Sequence, residues 1–201
     1  MVTPHVGVLA LQGDVREHHR ILTDLGAAVS RVRTPQDLAS VDAMVIPGGE
    51  STTIARLATV LGMLDPLRAA VASGMPVYGS CAGMILLADR LEGAPDDQQT
   101  IGGLHVTVRR NAFGRQVDSF EADLDIRGMS PPPMRAVFIR APWIHKVGAE
   151  VEVLTTVVDP ESGQPRPVVV RQGRILASSF HPELTKDARL HQMLLAMLEE
   201  N

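Results

Sequence analysis

The chain has 201 residues, of which 45% are hydrophobic, and a formal net charge of −4 at pH 7. This composition fits one globular domain with a sizeable core and argues against a disordered chain. With one Trp, one Tyr, four Phe and no basic run, the chain lacks the features of a nucleic-acid-binding protein.

The first half of the chain alternates short apolar runs with helical segments. Strands are predicted over 6–11, 28–32, 42–46 and 76–78, and helices over 14–25, from 52 or 53 onward, over 64–72 and from about 84. Asp14 is placed to cap the first helix, and Gly26 is placed to end it. The alternation predicts a parallel sheet with right-handed crossovers, in which ligands bind at the carboxyl ends of the strands.

Three turns at that predicted sheet edge carry unusual residues. They are Gln12 with Gly13, the segment 48–51 (Gly-Gly-Glu-Ser) and the segment 79–83 (Gly-Ser-Cys-Ala-Gly). Each turn taken singly is typical of an ordinary glycine turn. Because all three follow strands of the same predicted sheet, we expect them to form one site.

The second half of the chain changes character. Its alternating, β-branched segments near residues 106, 120, 137, 151 and 168 predict mixed or antiparallel strands. Polar loops are predicted over 93–100 and 128–133, and a strand over 175–180 precedes a final amphipathic helix over 187–199. No linker is long enough to divide the chain. We therefore predict one α/β domain over residues 1–201, a three-layer sandwich with a mostly parallel central sheet and antiparallel additions.

No segment predicts export or membrane insertion. The N-terminus lacks the basic and long apolar segments of a signal peptide. The apolar runs are far shorter than the ~20 residues that cross a bilayer. A single cysteine allows no intrachain disulfide and fits a reducing compartment. We expect a soluble cytoplasmic protein.

That single cysteine, Cys81, is the first candidate catalytic residue. The run 79–83 predicts a strand, a tight turn and a helix with the thiol at the turn, where the flanking glycines permit a strained backbone. The positive end of the following helix favours the thiolate, and the N–H group of Ala82 is placed to meet an oxyanion. The alternative is that Cys81 is a small buried apolar residue.

The second candidate is the segment His181-Pro182-Glu183, which also follows a predicted strand. In an extended segment Glu183 lies on the same side as His181, so its carboxylate can select the tautomer that accepts a proton from Cys81. The alternative is a surface imidazole at a strand end. The other six histidines lack a comparable setting, and none has a metal-ligand spacing. In particular, His18 and His19 are adjacent on a helix and diverge.

At this point the sequence resembles the class I (triad) glutamine amidotransferases, which have a flavodoxin-like fold. The broad resemblance rests on 79–83 and 181–183. Within that family the chain is similar to the glutaminase subunits of two-component pyridoxal 5′-phosphate synthases. The closer similarity rests on the strings at 7–13, 47–53, 110–121, 138–142 and 179–185, of which 110–121 is the most specific.

The resemblance implies hydrolysis of L-glutamine by a Cys81, His181 and Glu183 triad through a glutamyl thioester. It implies an oxyanion hole made by N–H groups of Ala82 and of the turn at Gly48 and Gly49. It also implies that the amino-acid end of glutamine is held by the following residues: Gly49, Glu50, Ser51, Arg110, Ile139 and Arg140. No metal and no cofactor are implied for this subunit. The implied partner is a synthase subunit, in a large hetero-oligomer.

Two alternatives remain at the level of sequence. The first is a cysteine peptidase or related hydrolase of the same fold, which would ignore glutamine and need no synthase. The second is a non-catalytic regulatory subunit that keeps the fold alone. From spacing alone, Arg110 and Arg140 are typical of solvated surface charges, so the sequence does not independently establish a glutamine site.

Overall fold

The computed structural model describes residues 3–110, 119–159, 162–185 and 187–200. Twelve strands lie in the described residues: β1 (His5–Leu9), β2 (Ala28–Val32), β3 (Ala43–Ile46), β4 (Val77–Ser80), β5 (Ala88–Glu92), β6 (Leu104–Arg109), β7 (Ser119–Leu124), β8 (Met134–Ile139), β9 (Trp143–Val147), β10 (Glu152–Val158), β11 (Pro165–Gln172) and β12 (Ile175–Ser178). The described α-helices are α1 (Val15–Asp24), α2 (Pro35–Ala39), α3 (Ser51–Val60), α4 (Leu64–Ala72), α5 (Ala82–Leu87) and α6 (Arg189–Ala196), with a 3₁₀ turn at Pro182–Leu184.

The main sheet has seven strands in the order β10-β11-β12-β4-β3-β1-β2. Strands β2, β1, β3, β4 and β12 pair in parallel, whereas β11 and β10 add in antiparallel orientation at one edge. The parallel strands place their carboxyl ends at one edge of the sheet, next to the turns after β1, β3, β4 and β12. The predicted mostly parallel sheet with antiparallel additions is confirmed.

The sheet is covered on both faces, and its central strands β3, β4 and β12 are buried at every position. Met44 and Ile46 of β3 pack in one core, with residues of α2, α3, α4 and α5. Their neighbours Ala43 and Val45 pack in the other core, with residues of α1 and α6. Alternate side chains of a strand point to opposite faces, so a continuous apolar run feeds two cores. This gives the predicted three-layer arrangement.

Two smaller sheets extend the two cores. Strands β5, β6 and β9 form one, and β7 and β8 form an antiparallel pair. The sequence prediction missed β5 and β9 because both are short and carry charged or exposed residues that break the apolar pattern.

Most predicted element bounds agree with the structure to within a few residues, including 28–32 and 64–72. Gly26, at φ +86°, follows the end of α1 as expected. Most of the 110–121 string, residues 111–118, lies outside the described residues. None of the helices in the described ranges has the length and hydropathy needed to span a bilayer.

Candidate active site

A pocket of about 500 Å³ opens at the carboxyl edge of the main sheet. It is lined by the following residues: Gln12, Asp14, Gly49, Glu50, Ser51, Cys81, Ile85, Arg110, Ile139, Arg140, His181 and Leu184. The pocket therefore brings together residues that are up to 172 positions apart (Leu184 less Gln12). The three glycine-containing turns meet there, and the His-Pro-Glu segment joins them.

Cys81 occupies a strained backbone conformation between β4 and α5. Its φ of 48° and ψ of −100° lie outside the regions that residues with a Cβ ordinarily adopt. The strand holds the turn in place, because the Cys81 N–H donates to the Ser178 carbonyl of β12 at 2.8 Å. Strain of this kind is typical of a nucleophile elbow, in which the side chain is turned outward from the sheet.

The flanking glycines serve a different purpose from the one predicted. The strained residue is Cys81 itself, and neither Gly79 nor Gly83 has a left-handed φ. Both glycines instead allow close packing: a Cβ on Gly83 would lie 2.1 Å from the Ile46 carbonyl oxygen, and one on Gly79 would lie 2.6 Å from the Gly83 carbonyl carbon. The short helix can therefore sit directly against the strands.

The His181 ring pairs with Glu183 through a buried hydrogen bond of 2.7 Å between Nδ1 and Oε1. The backbone conformation differs from the predicted extended segment, since Pro182 begins a 3₁₀ turn that contains Glu183. His181 itself is non-helical, with φ −105° and ψ 85°. Its N–H donates to the Val137 carbonyl of β8 at 3.0 Å, so the second half of the chain also fixes this segment. The predicted pairing occurs, but the geometry is a tight turn rather than an extended strand.

The His181 imidazole is held in its charged form. Burial by itself would lower its pKa, but hydrogen bonds with Asp14, Cys81 and Glu183 raise the pKa to about 12. Burial raises the pKa of the Glu183 carboxyl, and its hydrogen bond to His181 partly opposes that effect. The charged His181 ring therefore lies in the same pocket as Cys81, where it can supply a proton to a leaving group.

Asp14 lies beside this pair, although the sequence predicted it only as the N-terminal cap of α1. It stands at the N-cap of α1, but its side chain makes no capping hydrogen bond. Its Oδ2 instead lies 3.4 Å from His181 Nδ1. The hydrogen bond to His181 lowers the pKa of the Asp14 carboxyl. Because an Asp before a helix so often caps it, no local pattern indicated this contact with His181.

The turn at Gly48 and Gly49 is held by contacts from two other turns. The Gly48 N–H donates to Ser80 Oγ at 3.1 Å, and the Gly48 carbonyl accepts from the Asp14 N–H at 3.1 Å. The Gly48 N–H is therefore occupied, which is a correction to its assignment as an oxyanion donor. Gly49, at φ +152°, lines the pocket, whereas Gly48 does not. Of the two, Gly49 remains the candidate.

Arg110 is a partly buried residue of the pocket rather than a solvated surface charge, with 14% of its side chain exposed. Its guanidinium donates to Glu50 Oε1 at 3.0 Å, to Thr52 Oγ1 at 3.0 Å and to Gln98 Oε1 at 2.7 Å. Glu50 also caps α3, since its Oε2 accepts from the Thr53 N–H at 2.7 Å. The N-terminus of α3 and Arg110 thus form one charged wall.

Gln98 belongs to that wall, although its segment was treated from sequence as a variable loop. Its Nε2 donates to Ser51 Oγ at 3.2 Å while its Oε1 accepts from Arg110. The opposite side of the pocket holds Ile139, 39% exposed, and Arg140, at a left-handed φ of 42°. A strained Arg at a pocket rim is a further sign of a functional constraint.

Asp14, His181 and Glu183 also bring three potential metal-ligand atoms within 4.8 Å of one another. A His181 nitrogen that carries a proton toward Glu183 has no lone pair to offer a metal ion. The arrangement is therefore that of an oriented imidazole, with Cys81 in the same pocket.

The comparison with known proteins agrees with this geometry. The model of the SNO glutamine amidotransferase family matches residues 8–200. The chain belongs to this family. Similar relatives named pyridoxal 5′-phosphate synthase subunit PdxT include one from Frankia alni, 58% identical over 100% of this chain and 98% of its own length. Another, from Streptomyces avermitilis, is 56% identical over 100% of this chain and 97% of its own length.

Solved structures show that the fold extends through the wider glutamine amidotransferases. One glutamine amidotransferase is 48% identical, covers 96% of this chain and 98% of its own length, and has a TM-score of 0.88. A glutamine amidotransferase from Thermotoga maritima is 13% identical and covers 100% of this chain and 98% of its own, at a TM-score of 0.62. At that identity the likeness concerns the fold alone.

The sequence predicted no functional setting for His18 and His191, two histidines that the structure buries. His18 and His191 are both fully buried and contact each other, and His18 also contacts Ser80. Their positions on α1 and α6 are 173 residues apart, so no local pattern could pair them. On α1, His18 lies one helical turn before Leu22, which is also buried.

Proposed function

We propose that this chain hydrolyses L-glutamine to L-glutamate and ammonia, and that the ammonia supplies a synthase subunit that makes pyridoxal 5′-phosphate. One observation carries the proposal: a cysteine with a strained φ of 48° shares a pocket with a histidine whose Nδ1 lies 2.7 Å from a buried carboxylate. A nucleophile, a base and a group that orients the base are what amide hydrolysis through a covalent intermediate requires.

The reaction begins from the Cys81 and His181 pair. Because the pKa of His181 is raised to about 12, its proton is in place before glutamine binds. The proton on His181 comes from the Cys81 thiol. Cys81 Sγ attacks the side-chain amide carbon, and His181 passes that proton to the leaving nitrogen. Ammonia departs and a glutamyl thioester remains on Cys81. Water, deprotonated by His181, then attacks the thioester carbonyl and releases glutamate.

The oxyanion of each tetrahedral intermediate is met by backbone N–H groups. Ala82 is the first residue of α5, so its N–H has no acceptor within the helix. Gly49 supplies the second donor, because the Gly48 N–H is already bonded to Ser80 Oγ. Two such donors are worth about 10²–10³-fold in rate each in enzymes of this kind.

The amino-acid end of glutamine binds along the wall formed by α3 and Arg110, with the strand β8 segment opposite. Arg110 and Arg140 provide positive charge for the α-carboxylate, and Glu50 provides negative charge for the α-ammonium. Gly49, Ser51 and Ile139 line the same pocket and complete this subsite. The charged groups select an amino acid with a free backbone, which a peptide lacks.

The partner completes the function. PdxT relatives are named as subunits of pyridoxal 5′-phosphate synthase. Handing ammonia to that synthase in a large cytoplasmic hetero-oligomer prevents its loss to water. We expect low glutaminase activity for the isolated chain, because the second oxyanion donor is the Gly49 N–H, and the carbonyl of the same peptide group, on Gly48, is already bonded to the Asp14 N–H at 3.1 Å. Docking of the synthase would then fix the productive orientation.

The experiment is release of glutamate from L-glutamine, measured with and without the synthase subunit. The Cys81→Ala variant serves as the blank, since it removes one sulfur and leaves the docking surface intact. We expect activity mainly with the partner and none in the variant. Equal turnover with and without the synthase would reject partner control. Ammonia release by Cys81→Ala in the complex would reject the nucleophile.

A glutamine-mimicking electrophile provides an independent measurement. It should label Cys81 rapidly in the wild-type complex and not in Cys81→Ala. A peptide substrate assayed beside glutamine should not be cleaved. Labelling failure together with peptide turnover would favour the peptidase alternative, and failure of both in folded protein would favour a non-catalytic subunit.

A further inference from the structure

A buried hydrogen-bonded cluster lies on the side of Glu183 that faces away from the pocket. His18 Nδ1 lies 2.8 Å from His191 Nε2, and His18 Nε2 lies 3.1 Å from Ser80 Oγ. His18, His191 and Ser80 are all 0% exposed. Polar groups buried this deeply are costly unless they are paired, so their persistence in the core calls for a physical reason.

The reason is found at the Glu183 carboxylate. Its Oε1 receives the His181 hydrogen bond at 2.7 Å, whereas its Oε2 has no hydrogen-bond partner among the described residues. His18 Nε2 lies 3.5 Å from that second oxygen, and the side chains of both residues are fully buried. A buried carboxylate oxygen needs a donor nearby, and His18 is placed to face it with one.

The protons of the two histidines can be assigned from their neighbours. If His18 carried its proton on Nδ1, a bare Nε2 would face the negatively charged Oε2. With the proton on Nε2, His18 Nδ1 instead accepts from a protonated His191 Nε2. His191 Nδ1 is then unprotonated, which matches its lack of a partner among the described residues. Both rings are neutral, because burial lowers the pKa of each.

We propose that His18 is a positioning residue of the catalytic triad. Its Nε2–H group faces the inner oxygen of Glu183 and fixes the carboxylate that orients His181, and His191 fixes the tautomer of His18. The same nitrogen contacts Ser80 Oγ, which also accepts the Gly48 N–H. One buried imidazole therefore supports both the triad acid and the glycine turn. This inference rests on the proposed glutaminase function.

If His18 positions Glu183, then removing His18 should change the pH dependence of the rate, which the loss of a purely structural histidine would not do. Removing the N–H group leaves Glu183 without its second electrostatic contact, so the protonated carboxyl becomes more favourable. Glu183 must be ionised to stabilise the His181 imidazolium, and the acid limb of the rate profile should move to higher pH. The titratable groups that face His18 are His191 on α6, Glu183 in the 3₁₀ turn, His181 just before that turn, and Tyr78 on β4.

The first test measures the tautomer directly in the wild-type full chain. Nitrogen chemical shifts of selectively labelled histidines should show His18 protonated on Nε2 and unprotonated on Nδ1 throughout pH 6 to 8. This readout needs no variant and no activity. Protonation on Nδ1 would overturn the proposal, because the ring would then present no N–H group to Glu183.

The second test measures glutaminase kinetics in the complex with the synthase. His18→Leu should lower kcat about tenfold or more with little change in KM, since His18 does not line the pocket. Its acid limb should move to higher pH. His18→Gln keeps an N–H donor at the same reach and should restore most of kcat and the position of that limb. His19→Gln is the control on the same helix, and it should match the wild type.

The outcomes separate the two proposals. An inactive wild-type complex would count against the glutaminase function, whereas the tautomer result would stand or fall by itself. An active wild type with an unchanged acid limb in His18→Leu would overturn the positioning role. If His18→Leu does not fold, His18→Gln decides: an acid limb that moves as far as one pH unit despite the retained donor would overturn it.

Discussion

The pocket and the buried cluster behind it place histidines in opposite states. His181 touches two carboxylates and a thiol, and its pKa is raised to about 12. His191 is buried against His18, and burial lowers its pKa to about 4. Both residues are largely shielded from water, so burial alone does not decide the charge. The hydrogen-bonded carboxylates outweigh burial at His181 and keep that imidazole charged, whereas at His191 burial prevails and keeps the ring neutral.

The comparison is sharpened most by removing the negative charge next to His181. Glu183→Gln keeps the size of the side chain but cannot stabilise an imidazolium. We expect kcat in the complex to fall roughly 1,000-fold, by analogy with the acid of other triads, with KM nearly unchanged. The loss should remain smaller than that of Cys81→Ala, because Glu183 orients and does not attack. A loss below tenfold would show that Asp14 suffices.

The neutral pair predicts a pH dependence of stability. Unfolded His191 titrates near its ordinary pKa of 6.5, whereas folded His191 titrates at about 4. Between those values the unfolded chain binds more protons, so stability falls as the pH drops. At pH 5 the loss from His191 amounts to about 2 kcal/mol. His181 behaves in the opposite way, and its stabilising contribution is lost only as the pH rises above 6.5 toward 12.

Urea unfolding at pH 7 and pH 5 measures this effect. The matched variant is His191→Gln, which keeps a donor toward His18 and cannot titrate. Because Asp14, Glu183 and His18 titrate in both proteins, the difference between the two pH dependences isolates His191. The wild type should lose more stability than the variant on acidification. The same loss in both proteins would contradict the neutral assignment.

Asp14 tests whether one carboxylate or two keep His181 charged. Asp14→Asn removes the charge 3.4 Å from His181 Nδ1 and leaves Glu183 in place. The pKa of His181 should fall, so the proton needed by the leaving ammonia is lost earlier and the alkaline limb moves to lower pH. We expect kcat to fall about tenfold. Asp24→Asn removes an exposed carboxylate from α1 and should change neither kcat nor the position of the alkaline limb.

The smallest effect is expected at Gln98, whose contacts lie in the substrate wall and not near the histidines. Gln98→Ala removes the hydrogen bonds that Gln98 makes with Arg110, Ser51 and Thr52. We expect KM for glutamine to rise about fivefold with kcat preserved, which corresponds to about 1 kcal/mol, the net contribution of a typical hydrogen bond. Gln99→Ala is the neighbouring control, since Gln99 contacts Arg68 instead. Equal effects of the two changes would assign Gln98 to loop stability alone.

Much of the fold could be predicted because its signals are local. The apolar runs, the glycines after helices and the turn residues at 48–51 and 79–83 each lie within a few residues of the element they define. The carboxyl-edge rule then placed those turns at one site. The pairing of His181 with Glu183 was also local, although its tight turn was not foreseen. The short strands β5 and β9 were missed because charged residues interrupt their pattern.

The sequence by itself determined the parallel sheet and the tight turn at Cys81, and it predicted which groups react, since each of these depends on neighbouring residues. Only the tertiary structure decided what surrounds them. The Asp14 side chain contacts His181 instead of capping α1, and the Gly48 N–H donates to Ser80 Oγ. His18 is hydrogen-bonded to His191, 173 residues away. Side-chain hydrogen bonds between distant segments depend on how packed elements cross, and no periodicity along the chain encodes that crossing.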